Sequence, residues 1–235
     1  MKKKEIALIT GGSSGLGKSL ANKFLEYKID ICLIARNENK LEVAKKEFEE
    51  CNYNSKIFIL SGNISDEDFV NRIYNFLFRG NYYPKYLINC AGVGEFGNVQ
   101  KTSKKMINKV FEANLVGLIL MCTKAIQYMK FDDCYIINVM STAALRGKSN
   151  ETVYCAAKWG ARGYTEALKE AVKNTNIHVF GVYPGGMKTD FWNYNDKSKL
   201  SKYMNPQYVA EEIFKKVFIL KSDIDNIIIE RKESI

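Results

Sequence analysis

Several residue types are scarce in this chain of 235 amino acids. It contains three prolines and one histidine, His178, and its six cysteines include no Cys-x-x-Cys pair. A single histidine and scattered cysteines do not supply the usual ligands of zinc, so we expect no metal site. His178 lies in the strand-like run NIHVFGVY and is expected to be structural. The cysteines are expected to be small buried residues of a reduced protein.

Long hydrophobic runs are also missing. No apolar run approaches the roughly 18 residues of a membrane span, and the opening MKKKEIALITGG has an apolar part of about five residues, too short for a signal peptide. We therefore expect a cytoplasmic protein that does not bind membranes.

The net charge is +9, because 35 lysines and arginines face 26 acids. The lysines form short clusters that are spread along the chain and alternate with Glu and Asp on helix-like segments. This pattern is typical of solvated helix faces and does not indicate a nucleic-acid partner.

Apolar, β-branched runs alternate with helical segments along the whole chain. The predicted strands are EIALI, DICLIA, KIFIL, YLINC, YIINVM, IHVFGVY and NIIIE, and the predicted helices are 15–28, 38–50, 66–79, 103–130, 152–174 and 207–219. Several strands lack polar alternation, which indicates a parallel sheet covered on both faces. We predict an α/β, three-layer doubly wound (Rossmann) fold with a mainly parallel seven-stranded sheet flanked by helices. No linker is evident, so 1–235 is predicted to be one domain.

The stretch ALITGGSSGLGKSLANKF matches two nucleotide-binding patterns. From Gly12 it spells Gly-x-x-x-x-Gly-Lys-Ser, the phosphate loop of nucleotide hydrolases, and from Thr10 it spells Thr-Gly-x-x-x-Gly-x-Gly, a dinucleotide loop. A phosphate-loop enzyme also needs an acid at the end of a buried strand to hold magnesium. The strands here end in LIAR, ILSGN, NCAG, NVMS and YPGG, which contain no acid. The dinucleotide interpretation is therefore favoured.

The residue that meets the adenosine ribose lies about 20 positions beyond the glycines. An acid there would suit the 2′-hydroxyl of NAD, whereas Arg36 follows the second strand in this chain and can fork onto a 2′-phosphate. We expect NADP(H) to be preferred, with NAD(H) as the alternative.

Tyr154 and Lys158 are four residues apart on one predicted helix and so share a face. A tyrosine with an ordinary pKa near 10 exchanges protons poorly at neutral pH, and a neighbouring ammonium and an oxidised nicotinamide would favour the phenolate. Lowering that pKa to about 7 requires roughly 4 kcal/mol. Ser141 ends a predicted strand, where its hydroxyl could hold a carbonyl oxygen. Asn114 lies in an otherwise apolar helix, so it is expected to be buried and hydrogen-bonded.

Together these motifs resemble the classical short-chain dehydrogenases/reductases, from about residue 5 to residue 230, and a compact carbonyl-reductase-like member in particular. The resemblance implies a catalytic tetrad of Asn114, Ser141, Tyr154 and Lys158. It also implies these cofactor contacts: Thr10, Gly11, Ser13, Ser14, Gly15, Leu16, Gly17, Arg36, Asn63, Ile64, Asn89, Ala91, Gly92, Tyr154, Lys158, Pro184, Gly185, Met187 and Thr189.

The implied reaction is hydride transfer between a nicotinamide and a carbonyl or alcohol, with Tyr154 as general acid/base and Ser141 orienting the carbonyl. Lys158 would hold the ribose and lower the tyrosine pKa, and Asn114 would anchor a water. This chain departs from the family at two positions. Asn63 stands where Asp is common beside the adenine, and Ser14 stands where NADP members often carry a basic residue.

The substrate is expected to enter over a lid at about 186–205. Its large apolar side chains would either bind an apolar or aromatic carbonyl compound or pack the lid on the body (Met187, Phe191, Trp192, Tyr194, Tyr203 and Met204), with Phe96 and Leu145 on the opposite wall. The alternatives are a 3-oxoacyl-carrier-protein reductase and a non-catalytic NADP-binding regulator.

The resemblance further implies a homodimer or homotetramer. Its contacts would lie on the helices 103–130 and 152–174, where Ala156, Ala157, Gly160 and Ala161 would allow close packing.

Overall fold

The computed structural model describes residues 3–130, 132–191, 203–220 and 226–230. Seven strands form one sheet in the order β3-β2-β1-β4-β5-β6-β7, and every neighbouring pair is parallel. The strands are β1 (Lys4–Thr10), β2 (Asp30–Ala35), β3 (Ile57–Ser61), β4 (Tyr82–Asn89), β5 (Cys134–Val139), β6 (Ile177–Pro184) and β7 (Asn226–Ile229). All seven predicted strands are present, and the parallel sheet is confirmed.

The helices that connect these strands are α1 (Gly15–Glu26), α2 (Glu38–Glu50), α3 (Glu67–Arg79), α4 (Lys104–Phe111), α5 (Gly117–Tyr128), α6 (Thr152–Val172) and α7 (Pro206–Phe214). Two apolar clusters cover the two faces of the sheet. One contains Ile73 of α3, Met121 of α5 and Leu168 of α6. The other contains Phe24 of α1, Leu41 of α2 and Ile213 of α7. This arrangement confirms the three-layer, doubly wound fold.

The predicted helix at 103–130 is not one continuous α-helix. A π-helical turn at Glu112–Val116 separates α4 from α5, and a second one at Lys215–Ile219 follows α7. In the first turn the Asn114 side-chain amide donates to the carbonyl of Val110, four residues earlier, at 2.9 Å. A side chain that takes a backbone carbonyl in this way competes with the helical ladder and widens the turn.

The run Lys104–Tyr128 is long and apolar enough to cross a membrane by length and composition alone. In this fold its inner side packs on the sheet and on α3. The Tyr74 hydroxyl donates to the Met121 carbonyl at 2.9 Å, and Cys122 and Ala125 are fully buried. Those contacts identify the run as a core helix of the domain.

The cysteines only partly match the expectation of small buried residues. All six are free thiols, and Cys32, Cys122, Cys134 and Cys155 are buried. Cys51, at the end of α2, is exposed, and Cys90 is half-buried beside the cleft described below. His178 is exposed on β6, stacks on Tyr135 at 5.3 Å and lies 3.3 Å from Asp133, as a structural residue would.

Candidate active site

A cleft of about 420 Å³ opens at the carboxyl ends of β1, β4, β5 and β6. It contains Ser141, Tyr154 and Lys158, and we call it the catalytic compartment. It continues into a second compartment at the ends of β2 and β3, which contains Ser13, Asn63 and Ile64. The order of the strands reverses between β1 and β4, so the cleft lies at the switch point where ligands of doubly wound sheets bind.

The glycine loop is shaped for close backbone approach. A Cβ on Gly17 would stand 2.4 Å from the carbonyl oxygen of Gly11. Gly11 itself has φ +67°, and a Cβ on it would lie 3.0 Å from the backbone of Ala91, which follows β4. Gly15, at φ +52°, faces Thr189 in the same way at 3.0 Å. Side chains at these positions would fill the space between the loop and the strand ends, so glycine is required here.

Helix α1 presents its N-terminus to the cleft. Ser14 is the N-cap, and its side chain makes no capping hydrogen bond. The first amides of α1 are therefore available to an anion, and the helix dipole favours one there.

The phosphate-loop interpretation fails on the placement of its own residues. Lys18 points away from both compartments, pairs with Glu47 of α2 and lies 6.0 Å from the Phe48 ring. The Ser19 hydroxyl donates to the Gly15 carbonyl at 3.1 Å. Neither side chain is directed to where a phosphate would bind.

Two of the predicted cofactor residues lie beneath the cleft and do not line it. The Thr10 hydroxyl oxygen accepts from the amides of Cys90 and Ala91, both at 3.1 Å, and ties the end of β1 to the loop after β4. The buried Asn89 amide donates to Asn138 Oδ1 at 2.9 Å and joins β4 to β5. Both residues shape the site from behind.

The other predicted cofactor residues line one or both compartments: Gly11, Ser13, Ser14, Gly15, Leu16, Gly17, Arg36, Asn63, Ile64, Ala91, Gly92, Tyr154, Lys158, Pro184, Gly185, Met187 and Thr189. Arg36 is exposed at the end of β2 and faces both compartments. The side-chain oxygen Oδ1 of Asn63 accepts from the Ser65 backbone amide at 3.2 Å. The side-chain nitrogen Nδ2 of Asn63 is left to bind a base.

Lys40 is a cleft residue that the sequence analysis missed. It lies in the first turn of α2, four residues after Arg36, and lines both compartments. Its position four residues after Arg36 was the signal available in the sequence, but lysines are too frequent in this chain for that spacing to stand out.

Helix α6 brings Tyr154 and Lys158 to one side of the catalytic compartment, opposite the end of β5. Ser141 follows β5 and caps the short 3-10 turn Thr142–Ala144, where its oxygen accepts from the Ala143 amide at 3.1 Å. The Ser141 hydroxyl also lies close enough to the Tyr154 phenol to lower its pKa. The two hydroxyls that the sequence placed 13 residues apart therefore meet in the cleft.

Burial raises the pKa of Tyr154 well above its ordinary value of 10, and the nearby Ser141 hydroxyl offsets part of that rise. The expected fall of this pKa also depended on an oxidised nicotinamide. The Lys158 ammonium lies 5.7 Å from the centroid of the Tyr154 ring. Burial therefore favours the protonated phenol.

Lys158 is itself buried, with 4% of its surface exposed, and its Nζ donates to the Val139 carbonyl at 3.2 Å. Burial lowers the pKa of Lys158 to about 8, against a smaller opposing effect of Cys90. A lysine whose pKa lies near the working pH can take and give a proton.

Asn114 completes the group from the π-helical turn. Its amide nitrogen donates to the carbonyls of Val93 and Val110 at 2.8 and 2.9 Å. Its Oδ1 is buried and has no partner within the described residues. A buried acceptor of this kind is costly unless a further donor reaches it.

Two aromatic rings pack against Tyr154. Phe96 and Phe191 lie 5.7 and 5.6 Å from Tyr154 and 5.9 Å from each other, centroid to centroid. Phe191 lines the catalytic compartment, whereas neither Phe96 nor Leu145, expected to form the opposite wall, is among its lining residues. Leu145 packs against the core.

Backbone hydrogen bonds join the two ends of the segment that the sequence analysis predicted as a lid. The Met204 amide donates to the Gly186 carbonyl at 3.0 Å, and the Lys188 amide donates to Met204 at 2.9 Å. Met204 is buried in the core, and Tyr203 is half-buried. Trp192 and Tyr194 lie outside the described residues.

The family model described as short chain dehydrogenase matches residues 5–200. The chain belongs to the short-chain dehydrogenase family. It is 29% identical to mouse 3-ketodihydrosphingosine reductase over 88% of this chain and 67% of that protein. It is 31% identical to the 3-oxoacyl-acyl-carrier-protein reductase of Chlamydia trachomatis over 92% of this chain and 90% of the other.

Solved structures of short-chain dehydrogenases have the same fold. One from Vibrio parahaemolyticus is 29% identical, with a TM-score of 0.84 over 97% of this chain and 99% of that one. Two others, from Burkholderia phymatum with NAD and Burkholderia cenocepacia with NADP, both have TM-scores of 0.85. They are 18% and 19% identical and cover 97% and 98% of this chain and 89% and 97% of theirs. By its family the protein is an NAD(P)-dependent oxidoreductase.

Proposed function

We propose that this protein is an NADP(H)-dependent carbonyl reductase in which Tyr154 is the general acid/base. The observation that carries the proposal is that the Ser141 and Tyr154 hydroxyls lie close together in the cleft, beside the buried side chain of Lys158. Two hydroxyls that converge on one point can hold a carbonyl oxygen and protonate it.

The cleft also fits a nicotinamide dinucleotide. The glycine loop leaves room for a pyrophosphate against the N-terminus of α1, since a Cβ on Gly17 would collide with the loop. Among the described residues that line the two compartments, the cations are Arg36, Lys40, Lys109 and Lys158, and the acid is Asp190. This balance favours a polyanionic ligand.

The cofactor, when bound, supplies or accepts a hydride at the substrate carbon. Ser141 fixes the carbonyl oxygen by donating a hydrogen bond to it. Tyr154 donates its proton to the same oxygen as reduction proceeds, which suits a phenol whose raised pKa keeps it protonated at neutral pH.

Lys158 and Asn114 return the proton to the tyrosine. Lys158 has a pKa of about 8 and can exchange a proton near neutrality. The orphaned Oδ1 of Asn114 accepts from a water that connects Lys158 to solvent. A Cβ on Gly92 would lie 2.6 Å from this Oδ1 and 3.7 Å from Lys158 Nζ, so Gly92 keeps the space between the two groups open.

The preference for NADP(H) over NAD(H) rests on the end of β2. Arg36 lies at the position of the ribose contact, and its guanidinium makes no ion pair within the described residues. It is therefore available to fork onto a 2′-phosphate, whereas a 2′-hydroxyl would be better served by an acid.

The substrate is proposed to be an apolar or aromatic carbonyl compound, because Phe96 and Phe191 frame the approach to Tyr154. A 3-oxoacyl-carrier-protein reductase is the second candidate. It is favoured by Lys109, which lines the cleft from α4, and by the exposed Lys104 and Lys105 on the same helix, which suit an acidic carrier. A non-catalytic regulator is disfavoured by the complete tetrad.

The protein is further proposed to act as a cytoplasmic homodimer or homotetramer through α5 and α6. Ala156, Trp159 and Gly163 form an exposed stripe on α6. Ala157 and Ala161, expected in this contact, are fully buried inside the chain, so the small residues that face outwards are Ala156 and Gly163. Sedimentation of the wild type and of Trp159→Glu tests this contact, and an unchanged sedimentation coefficient would remove it.

The experiment for the catalytic proposal follows nicotinamide absorbance with NADPH or NADH against ketones, aldehydes and 3-oxoacyl thioesters. Tyr154→Phe is the test variant, and Tyr135→Phe, remote from the cleft, is the control. Loss of turnover in Tyr154→Phe alone, with NADPH still bound, supports the proposal. Turnover by Tyr154→Phe at the wild-type rate would refute the role of Tyr154.

A further inference from the structure

Lys40 occupies the junction between the two compartments of the cleft. It lines both of them, together with Arg36, and its side chain is 55% exposed. The Asn37 side chain accepts from the Lys40 backbone amide at 2.9 Å, which fixes the first turn of α2 and the direction in which Lys40 leaves it. The two cations thus line the same part of the cleft, at the end of β2 where a ribose 2′-substituent would lie.

The partner of Lys40 comes from the opposite wall. Asp190 Oδ2 lies 3.6 Å from Lys40 Nζ, and this ion pair spans the cleft from the segment after β6 to α2. Within the described residues that line the two compartments, Asp190 is the sole acid. Its neighbours hold it in place, because Thr189 packs on Gly15 and the Phe191 ring packs on Tyr154.

We propose that Lys40 is a second cation for the 2′-phosphate of NADP(H), beside Arg36, and that Asp190 competes with this phosphate for Lys40. The proposal rests on the NADP(H) preference stated above and names a determinant of it outside the recognised motifs. A phosphate carries more charge than one carboxylate and offers three acceptor oxygens, so it displaces Asp190 when Arg36 forks onto it at the same time. NAD(H) has only a hydroxyl at this position and leaves the Lys40–Asp190 pair intact.

The competition gives Asp190 a role of its own. While Asp190 is paired with Lys40, the affinity for the phosphate is reduced, because an existing ion pair must break before Lys40 can bind it. Removing the acid therefore strengthens binding of the 2′-phosphate, and removing the lysine weakens it. The exposed position of the pair makes both effects sensitive to salt.

The test uses 2′,5′-ADP and 5′-ADP as probes, because they differ in the 2′-phosphate and lack the nicotinamide. Their dissociation constants are measured by calorimetry on the full chain, for wild type, Lys40→Ala, Asp190→Asn and the double variant. Lys46→Ala, an exposed lysine farther along α2, is the matched control. Thermal melting of each variant checks that the fold is retained.

We expect Lys40→Ala to weaken 2′,5′-ADP by about tenfold, a loss typical of one charge-assisted contact, and to leave 5′-ADP within about twofold. Asp190→Asn should tighten 2′,5′-ADP in the wild-type background and have no effect in the Lys40→Ala background. Raising the salt concentration should weaken the binding of 2′,5′-ADP more in the wild type than in Lys40→Ala.

The possible failures are distinguishable. If the wild type prefers 2′,5′-ADP but Lys40→Ala retains that preference, the proposal is wrong and Arg36 carries the phosphate alone. If Asp190→Asn acts equally with and without Lys40, the competition is wrong. If the wild type binds both probes equally, the NADP(H) preference itself is wrong. Carbonyl reduction is tested independently of all three by the turnover assay.

Discussion

A Cβ atom on Gly92 would lie 2.6 Å from Oδ1 of Asn114. Gly92 follows β4, and Asn114 lies in the π-helical turn between α4 and α5, so two distant segments meet at a space that a methyl group would fill. The Asn114 oxygen at this point is buried and has no partner within the described residues. The space that a Cβ on Gly92 would fill therefore borders an acceptor without a partner. The same Cβ position lies 3.7 Å from Lys158 Nζ.

Asn114→Leu removes this acceptor and preserves the volume of the side chain. We expect the rate of carbonyl reduction to fall about tenfold or more, because the relay to Lys158 loses its anchor. The dissociation constant of NADPH should change little. Steady-state turnover and an NADPH titration measure the two effects, with the exposed Asn108→Leu on α4 as control. A parallel loss of NADPH binding would instead assign Asn114 to the shape of the cleft.

Gly17→Ala tests the glycine cradle. Its methyl group would stand 2.4 Å from the Gly11 carbonyl oxygen, so the loop must move away from the start of α1. Overpacking of this kind costs about 1–3 kcal/mol, and where the cofactor needs the undisplaced loop this corresponds to roughly a fivefold to 150-fold increase in the dissociation constant of NADPH. Gly163→Ala, where no atom lies within 4 Å of the added methyl, is the control. Unchanged NADPH affinity in Gly17→Ala would show that the dinucleotide does not use this loop.

Lys158→Met should stabilise the fold while it abolishes turnover. The pKa of Lys158 falls from 10.5 to about 8 on folding, so below pH 8 the folded protein bears the cost of a buried charge. That shift corresponds to about 3 kcal/mol at most. Because the unfolded chain binds the additional proton between pH 8 and 10.5, the advantage of Lys158→Met should shrink across this interval.

Urea unfolding of wild type and Lys158→Met at pH 7 and at pH 9.5 measures the difference in the free energy of unfolding. Lys173→Met, which changes an exposed lysine at the C-cap of the same helix, serves as the reference. An advantage of Lys158→Met that does not change with pH would contradict the lowered pKa.

The pH dependence of the reaction should report Lys158 and not Tyr154. Tyr154 keeps its proton well into the alkaline range because burial raises its pKa, whereas Lys158 titrates at about 8. Reduction consumes a proton that passes through Lys158, so its rate should be level below pH 8 and decline about tenfold per unit above it. Oxidation of the corresponding alcohol should rise over the same interval. Equal slopes in both directions would indicate loss of the folded enzyme instead.

Much of the architecture could be predicted from local pattern. The seven apolar runs are the seven strands, and their lack of polar alternation reflects burial on both faces of the sheet, as for Ile31, Cys32, Leu33 and Ile34 of β2. The choice between two nucleotide loops was also settled without coordinates, by the missing acid at the strand ends. The placement of Lys18 beside Glu47 agrees with it.

The features that could not be predicted all depend on residues distant in the chain. The helix at 103–130 has no proline, yet it contains a π-helical turn where Asn114 reaches back to Val110 and across to Val93. Ala157 and Ala161 are buried and Ala156 is exposed, because they lie on different faces of α6 and the fold covers one of those faces. Asp190 and Lys40, 150 positions apart, form a pair that no local pattern indicates.

The amino-acid sequence by itself determined the fold class, the family and many of the residues that line the cleft. It did so because strand and helix periodicity are local and because parallel strands place their carboxyl ends at one edge of the sheet. The tertiary structure alone decided the electrostatics of that cleft. Burial raises the Tyr154 pKa and lowers that of Lys158, since the cost of removing a charge from water depends on everything packed around it.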